Sequence, residues 1–243
     1  MKTSLSFRLP ALTALLCALY APLSHAGAAD YVYTLNIEQG ESELDMQYGT
    51  ARQADGSRIQ TTSVALGYGV SEHWFTEGYL KRDRASNATL AEWENKFLVF
   101  ESGQFKMGFL TELAAPLSGS APWELRVGTL LQTSVDKWQL NANLLFERAF
   151  GKADEHGVPY ATNIAYQFQA QYRWQPTLGF GVQALGDMGR WNQWDTAANQ
   201  NHRIGPAVFG KFGKDISYNA AWLFGSSRAA PSHTLRMQLE YEL

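Results

Sequence analysis

An all-β fold is predicted for this chain: a single closed antiparallel transmembrane β-barrel of about 12 strands, with short periplasmic turns and longer extracellular loops. Three observations predict it. Leu235, Met237, Leu239, Tyr241 and Leu243 alternate without error with Arg236, Gln238, Glu240 and Glu242 at the C-terminal end. In a membrane barrel one face of each strand meets lipid and the other meets the lumen, which imposes this period of two. The opposite end reads as an export signal, and short and long connections alternate along the chain between them.

The N-terminal region carries Lys2 and Arg8, then a nearly unbroken apolar run over residues 11–23, then Ser24-His25-Ala26. A basic start, an apolar core too short to anchor in a membrane and small residues at the cleavage positions define a secretory signal peptide. Cleavage is expected after Ala26, with Ala28 the second choice, so residues 1–26 are the signal peptide and 27–243 the barrel domain. Leu16 stands directly before Cys17 and the apolar run continues past it, which argues against lipid attachment there.

Turn signals divide the rest into twelve alternating segments: 31–52, 58–70, 73–82, 89–100, 104–113, 123–134, 137–149, 160–174, 177–189, 202–212, 216–224 and 233–243. The first is interrupted near Gln39-Gly40. There the apolar parity moves from Tyr33, Leu35 and Ile37 to Leu44, Met46 and Tyr48, and a β-bulge is expected. The connections at 70–73, 101–103, 135–136, 175–176 and 213–215 are tight. Those at 53–56, 83–88, 114–122, 150–159, 190–201 and 225–232 are longer, apart from the first. An even strand number puts both ends of the barrel on the periplasmic side, and the loops at 150–159 and 190–201 are expected over the outer mouth.

The lipid face is readable segment by segment: Val64, Leu66, Tyr68 and Val70; Phe105, Met107, Phe109, Thr111 and Leu113; Trp123, Leu125, Val127, Thr129 and Leu131; Ile164, Tyr166, Phe168, Ala170, Tyr172 and Trp174. Trp74, Trp123, Trp138 and Trp174 fall at strand ends, where an amphipathic ring sits at headgroup depth. A soluble β-sandwich also alternates, but it would leave this aromatic surface in water.

Composition excludes several classes. Cys17 is the single cysteine, so the exported chain has no disulfide and must be stabilised by closure of its sheet. Loss of Lys2 and Arg8 lowers the basic count from 20 to 18 against 23 acidic residues, moving the formal charge from −3 to −5. No basic excess points to nucleic acid.

The C-terminal run resembles the assembly signal of outer-membrane barrel proteins, with Tyr241 as the aromatic and Leu243 where a terminal Phe is usual. Gly67–Glu77, Glu92-Trp93-Glu94-Asn95, Asn143–Arg148 and His202–Pro206 are similar to a proteobacterial family of uncharacterised exported barrel proteins. That resemblance implies location in the cell outer membrane of a Gram-negative bacterium and a barrel fold. It also implies partners: the lipid bilayer and lipopolysaccharide, and the barrel-assembly machinery through the last strand. It supplies no catalytic residue, cofactor or metal ligand.

The lumen-lining candidates are Glu77, Lys81, Glu92, Glu94, Lys96, Lys106, Glu112, Glu124, Arg126, Gln167, Gln169, Arg173, Arg203 and Arg236, with further amides and charges at Gln139, Asn141, Asn143, Glu147, Gln171, Gln183, Asp187, Lys211, Asn219 and Gln238. Charges inside a wall backed by hydrocarbon need partners or water. The first half is charged and the second amide-rich, so an asymmetric interior is expected. Glu92 and Glu94, two apart on a strand, are read as ion-pair partners for Lys96, Lys106 and Arg126, although their spacing also matches glycosidase acids.

The leading functional expectation is a monomeric passive pore or binding channel for small polar solutes. One alternative is a structural barrel with a salt-bridged, closed lumen. The other is a lipid hydrolase at the extracellular rim, built from His156, His202 and His233 with Asp154, Glu155, Asp195, Ser226, Ser227 and Ser232. The His spacing favours no metal, and Trp191 and Trp194 read as interfacial anchors or sugar platforms.

Overall fold

The computed structural model describes residues 28, 30–119, 121–151 and 160–243. Twelve long strands make one antiparallel sheet: β1 (Ser42–Arg52), β2 (Arg58–Ser71), β3 (Trp74–Asp83), β4 (Ala88–Ser102), β5 (Phe105–Ser118), β6 (Trp123–Val135), β7 (Trp138–Phe150), β8 (Thr162–Gln175), β9 (Leu178–Arg190), β11 (Asn201–Phe212), β12 (Ile216–Gly225) and β13 (His233–Glu242). A two-residue strand, β10 (Gln193–Trp194), folds back on β9 within the loop before β11. Each long strand pairs with its neighbours in chain order, and β13 pairs with β1 from Glu43↔Glu242 to Arg52↔His233. That last pairing removes both edges, leaving no strand with unsatisfied ladder groups facing lipid. Among the described residues no helix is long and apolar enough to cross a membrane.

Sequence alternation becomes the two faces of the wall. On β13 Leu235, Met237, Leu239 and Tyr241 point out and are exposed, while Thr234, Arg236 and Gln238 are buried within. Across the seam Leu44, Met46 and Tyr48 stand opposite Tyr241, Leu239 and Met237, so outward apolar pairs flank the closing hydrogen bonds. The rare polar groups of the outer face are covered: Trp74 Nε1 donates to Asn95 Oδ1 at 3.0 Å and Trp93 Nε1 to Thr76 Oγ1 at 2.9 Å. Ile164, expected on the lipid face, is shielded where β8 shifts register against β9 between Asn163 and Ala165.

The first predicted strand needs correction. Only residues 42–52 are strand; residues 30–37 turn back and run up inside the barrel. The reversal is a turn at Gln39-Gly40, with Gly40 at φ 83°. Gly40 N–H donates to Gly69 O at 2.7 Å, and Gly69 N–H donates to Glu41 O at 2.9 Å. Gly69 is required there, because a Cβ would collide with the Glu38 carbonyl. The parity change between Leu35 and Leu44 therefore marks a chain reversal, and the strand holds no bulge at that point.

The inserted segment also gives the barrel an apolar core. Leu35 is fully buried against Leu98, Leu110, Leu130 and Leu145 on β4 to β7, and Val32 packs with Leu185, Ala207, Phe209 and Leu223 on the opposite wall. Gly108 lies beneath Leu35 and leaves the space that its side chain fills. These inward leucines would face water in an unoccupied lumen, and burying one side chain stabilises by about 1.5–3 kcal/mol.

Candidate functional site

The lumen is the candidate site, and two registered rows of side chains define it. Glu77, Glu94, Glu112, Arg126 and Glu147 are direct neighbours from β3 to β7. Because alternate residues of every strand face inward, one aligned row presents five ionisable groups to each other in a low-dielectric wall. Arg126 is the one base of that row and bridges two of its four acids. Its Nε donates to Glu147 Oε1 at 2.8 Å, and its Nη1 donates to Glu112 Oε1 at 2.9 Å. Nη2 reaches Glu124 at 3.7 Å. Lys81 pairs with Glu92 at 3.1 Å and Lys96 with Glu94 at 3.3 Å.

The second row is neutral. Gln132, Asn141, Gln169 and Gln183 are register partners from β6 to β9. Asn141 Nδ2 donates to Gln132 Oε1 at 2.9 Å, and Gln183 Nε2 donates to Gln169 Oε1 at 2.7 Å. Gln183 Oε1 in turn accepts from Arg236 Nη2 at 2.7 Å. An amide carries both donors and an acceptor, so a ladder of amides can satisfy itself and still offer bonds to a guest.

Here the guest is the chain's own segment 30–37. Tyr33 N–H donates to Gln167 Oε1 at 3.1 Å, and Leu35 N–H donates to Gln132 Oε1 at 2.8 Å. Asn143 Nδ2 donates to the Tyr33 carbonyl at 3.0 Å, and Arg236 Nη1 donates to the Asp30 carbonyl. The phenols meet the ionic row. Tyr33 OH donates to Glu112 Oε2 at 2.8 Å and accepts from Arg126 Nη1 at 2.8 Å. Tyr31 OH lies 2.6 Å from Tyr79 OH and 2.9 Å from Glu94 Oε2.

Of the predicted lumen residues, Glu77, Glu92, Glu94, Lys96, Glu112, Arg126, Gln167, Gln169, Arg203 and Arg236 are buried inside, and Lys81 and Glu124 are partly buried. Lys106 sits near the short-turn end, 3.8 Å from Glu101. Arg173 is exposed, on the rim of a cavity of about 510 Å³ that opens at the short-turn end. Glu92 and Glu94 are ion-paired with Lys81 and Lys96, which explains their spacing without catalysis. The partners differ in part from those expected: Lys106 pairs with Glu101, and Arg126 with Glu112 and Glu147. Tyr31 and Tyr33 were missed because the sequence reading placed them on the wall. Their sequence signal was the lost parity at Gln39-Gly40.

The rim histidines form no catalytic arrangement among the described residues. Tyr166 OH contacts His202 Nδ1 at 2.9 Å, and Gln200 Oε1 contacts Nε2 at 2.7 Å. His233 Nδ1 is 3.4 Å from the adjacent Ser232 Oγ, which also donates to the Arg52 carbonyl. His156, Asp154 and Glu155 lie outside the described residues. At the turn below the lumen, burial pushes the Glu41 carboxyl up to about 7, aided by Glu43, Glu38 and Glu242 and opposed by Lys211.

Solved structures of outer-membrane porins and channels share this fold. An outer membrane channel from Pseudomonas putida F1 superposes with a TM-score of 0.64 at 12% identity, covering 88% of this chain and 98% of that one. The NanC porin gives 0.62 at 10% identity over 83% of this chain and 100% of that one. The KdgM porin, also solved in complex with disordered oligogalacturonate, gives 0.60 at 11% identity over 83% of this chain and 99% of that one. No protein-family model matches the chain, and no curated protein matches it.

Proposed function

We propose that this chain is an outer-membrane channel for small polar solutes whose lumen is narrowed by its own N-terminal segment. The observation that carries the reading is the cavity of about 510 Å³ beside residues 31–36, polar-lined and open at the short-turn end. A twelve-stranded barrel lies between the roughly eight strands that side chains fill and the roughly sixteen that leave an aqueous channel. Here the space not taken by the segment stays polar and reachable. The fold shared with porins supports the same reading. Export by a signal peptide cleaved after Ala26 would leave Asp30 close to the mature terminus, free to thread into the lumen. The exposed apolar band fits a monomer solvated by lipid and lipopolysaccharide, and β13 fits recognition by the assembly machinery.

A closed, structural barrel is the second reading, favoured by the fully buried contact of Leu35 with four inward leucines. Planar-bilayer recording of the purified mature protein, with and without residues 30–37, separates the two. For a channel, the intact protein conducts weakly and the deletion raises conductance several-fold. Silence from both would leave the structural barrel.

A further inference from the structure

We propose that the cavity at the short-turn end binds a short peptide in extended conformation, paired to the free edge of the chain's own segment 30–37; the inference rests on the channel reading and names its solute class. Successive residues of an extended chain direct their N–H and C=O groups to opposite sides. Tyr33 N–H, Tyr33 C=O and Leu35 N–H point to the wall, where Gln167, Asn143 and Gln132 hold them. Thr34, between them, turns its peptide groups the other way. Neither Thr34 nor Asn36 makes a backbone hydrogen bond among the described residues. Both line the cavity, Thr34 half-buried and Asn36 exposed, so this edge is open to it. A strand edge with unused donors and acceptors is a template on which another extended chain pairs.

The rest of the lining is of the kind that already holds peptide groups. Gln139, Gln169, Gln171 and Asn219 all face the cavity. Gln139 and Gln171 are register partners, one inward step nearer the short turns than Asn141 and Gln169. The ladder that seats Leu35 N–H therefore runs on into the cavity. Gln139 Nε2 donates to Asn141 Oδ1 at 3.2 Å, whereas Gln171 makes no side-chain hydrogen bond among the described residues. Its amide offers both donors and an acceptor to a peptide group, the match that Gln132, Gln167 and Asn143 already make to the segment.

Charge does not select the guest. Four acidic and three basic residues line the cavity among the described residues, so neither sign commands it. Its volume of about 510 Å³ falls within the roughly 300–1,000 Å³ usual for small-molecule sites, which admits a peptide of a few residues and excludes a folded chain.

Isothermal titration of the detergent-solubilised mature protein with tetraalanine tests this, with sucrose and a tetraalanine methylated on its amide nitrogens as control probes. Tetraalanine should bind, and methylation should weaken it about tenfold or more, the scale of two lost backbone bonds. Thr34→Pro removes the N–H that faces the cavity and spares those of Tyr33 and Leu35. It should cost about tenfold, whereas Thr34→Ala keeps the backbone and should cost less than about threefold. Gln171→Ala should weaken binding about threefold or more. Removal of residues 30–37 should abolish it. Retained heat-modifiable migration on electrophoresis shows that each variant is folded, and the methylated probe tests the same bonds in the unaltered protein. No binding of tetraalanine, equal binding of sucrose or of the methylated peptide, or tighter binding once residues 30–37 are removed would each overturn the site. The titration needs no open pore, so binding without conductance would refute the channel and keep the site. Conductance without binding would do the reverse.

Discussion

The ionic row on β3 to β7 and the amide row on β6 to β9 line the same lumen and hold the same inserted segment by different means. The ionic row grips side chains: Glu112, Arg126 and Glu94 engage the Tyr33 and Tyr31 hydroxyls. The amide row and its neighbours grip backbone: Gln132, Asn143 and Gln167 engage the peptide groups of Tyr33 and Leu35. A peptide group offers one donor and one acceptor, and an amide side chain mirrors it, whereas a carboxylate only accepts and a guanidinium only donates. Threading a strand-like segment through a barrel without pairing it to a sheet therefore needs an amide wall. Carboxylates and bases serve where hydroxyl tips arrive, and Arg236 additionally takes the Asp30 carbonyl.

The sharpest way to break this contrast is Arg126→Ala. Glu112 and Glu147 would lose their shared cation inside the wall, and removing one partner of a buried pair costs about 3–5 kcal/mol. The urea midpoint of the refolded barrel should fall accordingly, and Arg126→Lys should recover only part, since a point charge cannot serve two carboxylates as the planar guanidinium does.

Leu35→Ala comes next and tests whether apolar packing outweighs either polar row. It should weaken docking of the segment by about 2–4 kcal/mol through lost burial and the cavity left against Leu110 and Leu130. Single-channel records should then dwell longer in the high-conductance level, with barrel stability little altered. An unchanged dwell time would mean that Leu35 does not hold the segment.

Gln167→Ala probes the amide row. The Tyr33 N–H would lose its acceptor at a cost of about 1–2 kcal/mol. The same high-conductance level should be visited more often than in the intact protein and less often than in Leu35→Ala.

The smallest effect belongs to Glu41→Gln at the turn that feeds the segment inward. The carboxyl is raised on folding, so its ionisation opposes the folded turn. That cost is absent below about pH 4.5, grows as pH rises, and is complete above about 7. The variant should therefore stabilise the protein at pH 8 and leave it unchanged at pH 4. Because Glu41 is only half-buried, solvent screening holds the gain within about 1 kcal/mol. Denaturation midpoints at the two pH values check it, and a gain confined to pH 4 would reverse the sign argued here.

Much of the wall was legible from residue order. Leu235 to Leu243 predicted the outward face of β13 because period-two alternation needs no knowledge of any neighbour. Glu77, Glu94, Glu112, Arg126 and Arg236 were placed in the lumen by the same parity. What parity cannot convey is which strand positions share a row. Arg126 meets Glu112 and Glu147 because the register of β5, β6 and β7 aligns them, and Glu92 finds Lys81 in place of the partners expected.

The alternation of Tyr33, Leu35 and Ile37 shows the limit most clearly. A segment in extended conformation alternates whether it lies in the wall or runs through the middle, because the period reflects backbone geometry and is independent of location. Local sequence thus determined the strands and their two faces, which depend on neighbours one turn away, whereas closure joins β1 to β13 from opposite ends of the barrel sequence. Only the tertiary structure decided that residues 30–37 leave the wall and fill the lumen. That choice depends on space at Gly69 and Gly108 and on amides contributed by β6, β7 and β8, far away along the chain.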